Sequence, residues 1–437
     1  MPEKYLKMIL NSPVYDVAHE TPLDRAPRLS DKLENNVFIK REDLQPVFSF
    51  KVRGAYNKIV QLSPSEKQRG VIAASAGNHA QGVALAAERL RIKATIVMPE
   101  TTPEIKIDGV KKFGAKVILH GDDFSTAFAR AQEIANENSL VFIPPFDDPF
   151  VIAGQGTIAL ELLRQYTKNI HAIFVPIGGG GLIAGIGSYI KMVRPEIKII
   201  GVESDESASM YASIKKGRRI TLKNVGIFAD GVAVSQVGKE PFRLAKKVVD
   251  EIVLADVDQI CAAVKDLFED TRAIAEPSGA LAVAGMKNYI RDNKISGKTL
   301  IAINCGANVS FDRLRHISER ANYSEAREAL FAVTIPEKKG SFLAFCRVLG
   351  KRSITEFNYR YSSSKEAHIF VGLALTEGKP ERLKIQETFK QHGYETEDLT
   401  ENDMAKLHIR HMVGGRLNSN EVERIYRFEF PERPGAL

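Results

Sequence analysis

Between residues 71 and 310 the chain alternates short apolar runs with longer stretches in which apolar positions recur every three or four residues. The runs fall at 71–74, 94–98, 116–119, 172–175, 197–202 and 300–303, and helix-like stretches between them include 81–90, 125–136, 156–166 and 257–272. Continuous apolar strands separated by helices predict parallel sheets covered on both faces, so the fold class expected for residues 1–320 is α/β. Two glycine-bearing turns directly follow strands, after Ala74 and after Ile177, which puts ligand contacts at the carboxyl ends of parallel strands. Two sheets with a cleft between them follow, with a smaller lobe at about 40–145 inserted in a larger one.

Past residue 320 the pattern changes. A strand is expected at 329–336, a helix at 340–349, a strand at 369–375 and a helix at 379–392, a β-α-β-β-α-like order over 329–403 that resembles an α+β ferredoxin-like (ACT-like) regulatory module without catalytic residues of its own. The run from Ile335 to Phe342 recurs from Phe430 to Leu437. Residues 424–437 therefore read as the start of a truncated second module, whose strand at 424–430 lacks a helix to cover it.

Composition narrows the function class. With 437 residues, 44% hydrophobic and 26% charged, the chain is long enough for a sizeable buried core. Its net charge is +7, but the basic residues are interspersed with 54 acidic ones rather than gathered in a stripe, which argues against nucleic acid and suits anionic substrates or phosphorylated cofactors. No stretch approaches the roughly 18 to 20 apolar residues of a membrane span, and the beginning lacks a signal-peptide apolar region, so a cytoplasmic location is expected. Three cysteines, Cys261, Cys305 and Cys346, are widely spaced, which supports neither a disulfide framework nor a zinc site. Acidic residues such as Glu203 and Asp230 are too scattered to define another metal site.

Four segments carry candidate chemistry. Lys51 follows Phe50 in Ser49-Phe50-Lys51-Val52-Arg53-Gly54-Ala55. A lone lysine is ordinarily a solvated charge, but an aromatic neighbour can lie against a flat ring, and a buried amine has a lowered pKa and can form a Schiff base with an aldehyde. Gly178, Gly179, Gly180 and Gly181 precede Leu182 at the start of a helix expected over 182–192. Their N–H groups can converge on an anion where the helix dipole favours phosphate, and a mere flexible turn rarely needs four glycines. The spacing is neither Gly-x-x-x-x-Gly-Lys-Ser/Thr nor Gly-x-Gly-x-x-Gly, which disfavours a nucleotide phosphate. Ser75-Ala76-Gly77-Asn78-His79 lies between a strand and a helix. Its N–H groups, Gly77 among them, and the Ser75 hydroxyl suit an α-carboxylate, and Asn78 can donate to a ring oxygen, although Ser75 or Asn78 could equally be a plain helix cap and His79 a structural histidine. Cys305 ends a strand and could be a buried small hydrophobe. Beside a pyridine nitrogen a thiol would leave that nitrogen largely unprotonated, which suits β-elimination better than transamination.

On Ser49 to Ala55, Ser75 to Gly82, Gly178 to Leu182, Glu276 to Ala280 and Cys305 to Asn308, joined to the regulatory repeat, the chain resembles the biosynthetic threonine dehydratases (threonine ammonia-lyases), pyridoxal 5'-phosphate enzymes of the tryptophan-synthase-β-like fold. The resemblance runs over the whole chain. It implies that Lys51 is the catalytic residue and carries the Schiff base, that Phe50 and Asn78 flank the ring, that Gly178 to Leu182 hold the phosphate and that Cys305 meets the pyridine nitrogen. Ser75, Gly77 and His79 are the candidate substrate contacts. The implied reaction takes L-threonine to 2-oxobutanoate and ammonia, and L-serine to pyruvate, as the committed step toward isoleucine. Isoleucine as inhibitor and valine as antagonist are the implied effectors, and a homotetramer is the implied assembly. Serine racemases resemble the chain too, but carry a second Ser where this chain has Ala76, a residue that cannot move a proton. Two other readings stand beside this one: a β-replacing or β,γ-lyase relative such as cysteine synthase or threonine synthase, and a catalytically silent amino-acid sensor built on residues 329–437.

Overall fold

The computed structural model describes residues 2–324, 328–361, 365–375 and 378–402. The chain divides after Ser318 into two units, and the expected strand at 424–430 and the repeat that follows it lie outside the described residues.

In the first unit the strands are β1 (Leu23–Arg25), β2 (Asn36–Arg41), β3 (Val71–Ala74), β4 (Ala94–Met98), β5 (Lys116–Leu119), β6 (Val141–Phe142), β7 (Ala172–Pro176), β8 (Lys198–Ser204), β9 (Glu251–Ala255) and β10 (Thr299–Asn304). They form two sheets. The larger has the order β1-β2-β10-β7-β8-β9 and the smaller β5-β4-β3-β6; every pairing is parallel except that of β1 with β2. Every residue of β3 and β7 is buried, as expected for parallel strands with helices on both faces. The α/β architecture expected from the apolar runs is therefore present, with strand positions within two residues of those read from the pattern. β1, β2, β6 and β9 are not among the runs read from the pattern. β2 carries the short apolar run Val37-Phe38-Ile39 but goes straight on to Lys40 and Arg41, both buried.

Three glycines fix the helix on which the candidate nucleophile sits. Helix Lys51–Val60 packs between helices Asn78–Leu90 and Pro149–Gln165. A β-carbon at Gly82 would come within 3.1 Å of the Lys51 carbonyl carbon, and one at Gly154 within 2.6 Å of the Arg53 carbonyl oxygen. At Gly54 a β-carbon would meet the Gln155 side chain, whose Oε1 accepts from the Gly54 N–H at 3.1 Å. Backbone therefore lies directly on backbone on both sides of this helix, which close-packed interiors allow only where side chains are missing.

The second unit forms a sheet in the order β12-β13-β11-β14, from β11 (Glu328–Pro336), β12 (Ile354–Tyr361), β13 (Glu366–Ala374) and β14 (Glu395–Asp398), with all pairings antiparallel. Helices Ser341–Leu349 and Lys379–Gln391 interleave with these strands in a β-α-β-β-α-β order, the ferredoxin-like arrangement. Phe331, Val333 and Ile335 alternate inward along β11 and meet Phe345 and Phe389 in one core.

Candidate active site

One cavity gathers Phe50, Lys51, Asn78, Phe146, Gly178 to Leu182, Gly231, Val232, Glu276, Ser278 and Cys305. All lie in the first unit, near the carboxyl ends of strands, where a doubly wound sheet offers its ligand crevice. Of the candidates read from sequence, Phe50, Lys51, Asn78, the four glycines, Leu182 and Cys305 are brought together here. Ser75, Gly77 and His79 are not among the lining residues.

Lys51 opens its helix. Its Nζ donates to the Pro145 carbonyl at 3.2 Å and lies 5.2 Å from the centre of the Phe50 ring. Burial pushes the amine down to about 8, although the Glu276 carboxylate pulls it back toward charge. A reactive neutral fraction is thus accessible near neutral pH. Cys305 donates its thiol to the Ser278 carbonyl at 3.3 Å, and burial holds that thiol well above its ordinary value, so it meets the cavity as a neutral group.

The glycine run leads from β7 into helix Gly181–Val193, with Gly180 at φ +91, a left-handed backbone that favours glycine. A β-carbon at Gly178 would lie 2.9 Å from the Val232 α-carbon, and one at Gly179 would run into the Phe146 ring. Among the described residues the N–H groups of Gly178 to Leu182 find no protein acceptor, and the first N–H groups of a helix have none within it. A cradle of free N–H donors at a helix start, which any side chain would fill, fits a phosphate. With Lys51 within the same cavity, the residues present fit pyridoxal phosphate, an aldehyde and a phosphate on one flat ring. Gly179→Ala is expected to weaken pyridoxal phosphate affinity at least about tenfold, because Phe146 must leave its place or the loop must open, an overpacking cost of roughly 1–3 kcal/mol; titrating the apoprotein with the cofactor checks it.

The Ser75 hydroxyl accepts from the Gly77 N–H at 3.2 Å, within its own turn, and a β-carbon at Gly77 would meet nothing within 4 Å, so the turn has an open side. His79 is buried, with Nε2 2.8 Å from the Ile143 carbonyl, which assigns the ring proton to Nε2. Burial, with Lys51 adding to it, pushes this imidazole down to about 3, so it stays neutral and holds the segment leading to Pro145 and Phe146.

Sequence reading assigned no role to Glu276, Ser278, Asn308 or Phe146. Glu276 lies just before helix Pro277–Asn293, and an acid followed by Pro-Ser-Gly-Ala was the available signal of a polar helix start. Its carboxylate is buried and reaches Asn78, Ser278 and Asn308.

Two family models match the chain: "Pyridoxal-phosphate dependent enzyme" over residues 14–306 and "C-terminal regulatory domain of Threonine dehydratase" over residues 319–409. The chain is 55% identical over 436 residues to the L-threonine dehydratase biosynthetic IlvA of Burkholderia multivorans, spanning 99% of this chain and 86% of that one. It is 54% identical over 434 residues to the protein of the same name from Escherichia coli K12, spanning 99% and 84%. Among solved structures it resembles the processed form of threonine deaminase isoform 2 from Solanum lycopersicum, at 52% identity and a TM-score of 0.72, over 73% of this chain and 93% of that one. It also resembles maize serine racemase, at 30% identity and a TM-score of 0.68, over 73% and 98%.

Proposed function

Since the chain belongs to the biosynthetic threonine dehydratases of the pyridoxal-phosphate-dependent enzyme family, we propose that it deaminates L-threonine to 2-oxobutanoate and ammonia at the cavity around Lys51. The observation that carries this reading is the meeting of Lys51 and the glycine cradle in one cavity. When bound there, pyridoxal phosphate supplies the electron sink that lets the α-carbon of an amino acid give up its proton. The N–H groups of Gly178 to Leu182 would hold its phosphate, Phe50 and Asn78 would flank its ring, and the neutral Cys305 thiol is the group offered to its nitrogen. Lys51 Nζ would attach the cofactor and, once the substrate amine has taken its place, remove the α-proton as general base. Ser75 and the open side of the turn at Gly77 are proposed to receive the substrate carboxylate, while His79 holds the segment leading to Pro145 and Phe146 through the Ile143 carbonyl.

Departure of the β-hydroxyl is the distinctive outcome. A residue able to return a proton to the opposite face would favour racemisation, and Ala76 has none to give. The second unit is proposed to answer to isoleucine and valine, in a homotetramer in the cytoplasm. No described helix is long and apolar enough to cross a membrane. The decisive experiment follows 2-oxobutanoate formation from L-threonine by the purified protein with added pyridoxal phosphate, with and without isoleucine. Turnover that isoleucine lowers and valine restores is expected. Cofactor binding without oxoacid would move the assignment to a β-replacement enzyme, and no cofactor binding would leave the sensor reading.

A further inference from the structure

Asn78, Glu276 and Asn308 close a hydrogen-bonded circuit behind the cavity. Asn78 Nδ2 donates to Glu276 Oε1 at 2.8 Å, the Asn308 backbone N–H donates to Glu276 Oε2 at 3.0 Å, and Asn308 Nδ2 donates back to Asn78 Oδ1 at 2.5 Å. The circuit has a direction. Asn308 Nδ2 also donates to the Val47 carbonyl at 2.8 Å, which can only accept, so the nitrogen of the Asn308 amide is identified and its partner on Asn78 must be the oxygen. The Asn78 nitrogen is then turned to the carboxylate, and its second N–H finds no protein acceptor among the described residues on a side chain that lines the cavity. Ser278 Oγ adds a third donor to the carboxylate, reaching Oε1 at 2.6 Å.

We propose that Glu276 is a positioning residue that acts through Asn78: its ionised carboxylate clamps the Asn78 amide so that the second N–H is presented to the ring of the bound cofactor. The inference rests on the cofactor reading above. Only the carboxylate form suits three incoming donors; a protonated oxygen, or an amide nitrogen in its place, would set donor against donor.

Other groups bear on that ionisation. Burial holds Glu276 up, near 7, with Asp230 adding to it, while the bonds from Ser278 and Asn78 and the charge of Lys106 act the other way. Lys51 and Cys305 face it across the cavity. Lys106 pairs with Asp230 at 2.9 Å, so those two influences largely travel together.

The test measures equilibrium affinity of the apoproteins for pyridoxal phosphate, by the cofactor's visible absorbance, in wild type, Glu276→Gln, Asn78→Ala and the double variant. Because hydrogen bonds to charged groups are the strong ones, Glu276→Gln is expected to lose roughly 10- to 100-fold in affinity. The double variant is expected to lose no more than Asn78→Ala does alone. The ratio of wild-type to Glu276→Gln affinity should rise from near unity at pH 5 to its full value above about 7, a change that a merely structural role would not produce. Equal affinity of wild type and Glu276→Gln, or losses that add in the double variant, would overturn the proposal while leaving the cofactor reading intact. A wild type that binds no pyridoxal phosphate would sink both. If Glu276→Gln does not fold, Asn308→Ala removes the donor on the other side of the same amide: its loss should likewise vanish in an Asn78→Ala background, and persistence there would refute the clamp.

Discussion

Replacing Lys51 by alanine is expected to lower kcat/KM for L-threonine by roughly 10⁴-fold or more, since the substitution removes both the point of attachment and the general base. Cofactor affinity should fall far less. The glycine cradle is untouched, and its N–H groups do not depend on the lysine. Lys51→Ala should therefore still take up pyridoxal phosphate but release it on dialysis, without the visible band that the wild type develops. The pH dependence of uptake by the wild-type apoprotein follows from the same amine. Below about 8 the neutral, attacking form is the minor one, so the rate of uptake should rise about tenfold per pH unit and level off above that value. A stopped-flow series from pH 6 to 9 would show it; a rate already level at pH 6 would mean that the amine is held lower than its surroundings indicate.

The second large effect lies outside the cavity. Arg53, on the same helix two residues on, is fully buried and forks onto two carboxylates, with Nε 2.7 Å and Nη2 2.8 Å from Glu42 and Nη1 2.5 Å from Glu161. Lys40 Nζ meets Glu161 at 2.6 Å, the Thr21 carbonyl at 2.6 Å and Gln165 at 3.1 Å, so all three of its protons are used. Burial pulls the Lys40 amine down, against the opposing pull of Glu161 and Glu42, whereas Arg53 holds Glu42 low against the effect of its burial. Two cations and two anions thus balance with no water-facing outlet. Arg53→Met leaves Glu42 and Glu161 with only Lys40 between them, and breaking a buried pair in this way costs about 3–5 kcal/mol. Thermal unfolding of the catalytic unit should drop by at least about 5 °C. Arg53→Lys should recover only part, because an ammonium cannot fork to both carboxylates at once. Melting temperatures of the three proteins decide it, and an unchanged value for Arg53→Met would show that the balance matters less than its burial implies.

Much of this was legible in the amino-acid order. Val71–Ala74 and Ala94–Met98 are strands because an apolar run buried on both faces needs no tertiary information to be recognised. The antiparallel unit was legible in the alternation of β11, while Ile354–Tyr361, with Thr355, Glu356 and Asn358 along it, carries too many polar residues to stand out from a loop. β2 was missed for a different reason: Lys40 and Arg41 read as solvent-facing, and their burial becomes tolerable only through Glu161, brought from the far end of another helix to Lys40, and through Asp24 and Asp43, which pair with Arg41. In the cavity the groups that do chemistry by type, an amine, a thiol and a run of glycines, could be named from the sequence. Glu276 and Asn308 could not, since what they do depends on meeting Asn78 across roughly two hundred residues of chain, which no local spacing encodes.

The glycines around helix Lys51–Val60 bear on how a mutational scan of this chain would read. None of Gly54, Gly82 and Gly154 lines the cavity, yet a side chain at any of them would push the backbone of the nucleophile's helix. Scored by growth alone, these positions would be as intolerant as Lys51 itself and would blur the outline of the catalytic centre. Scored a second time for the amount of folded protein, they would separate from it, because a misplaced helix lowers abundance and a missing amine does not.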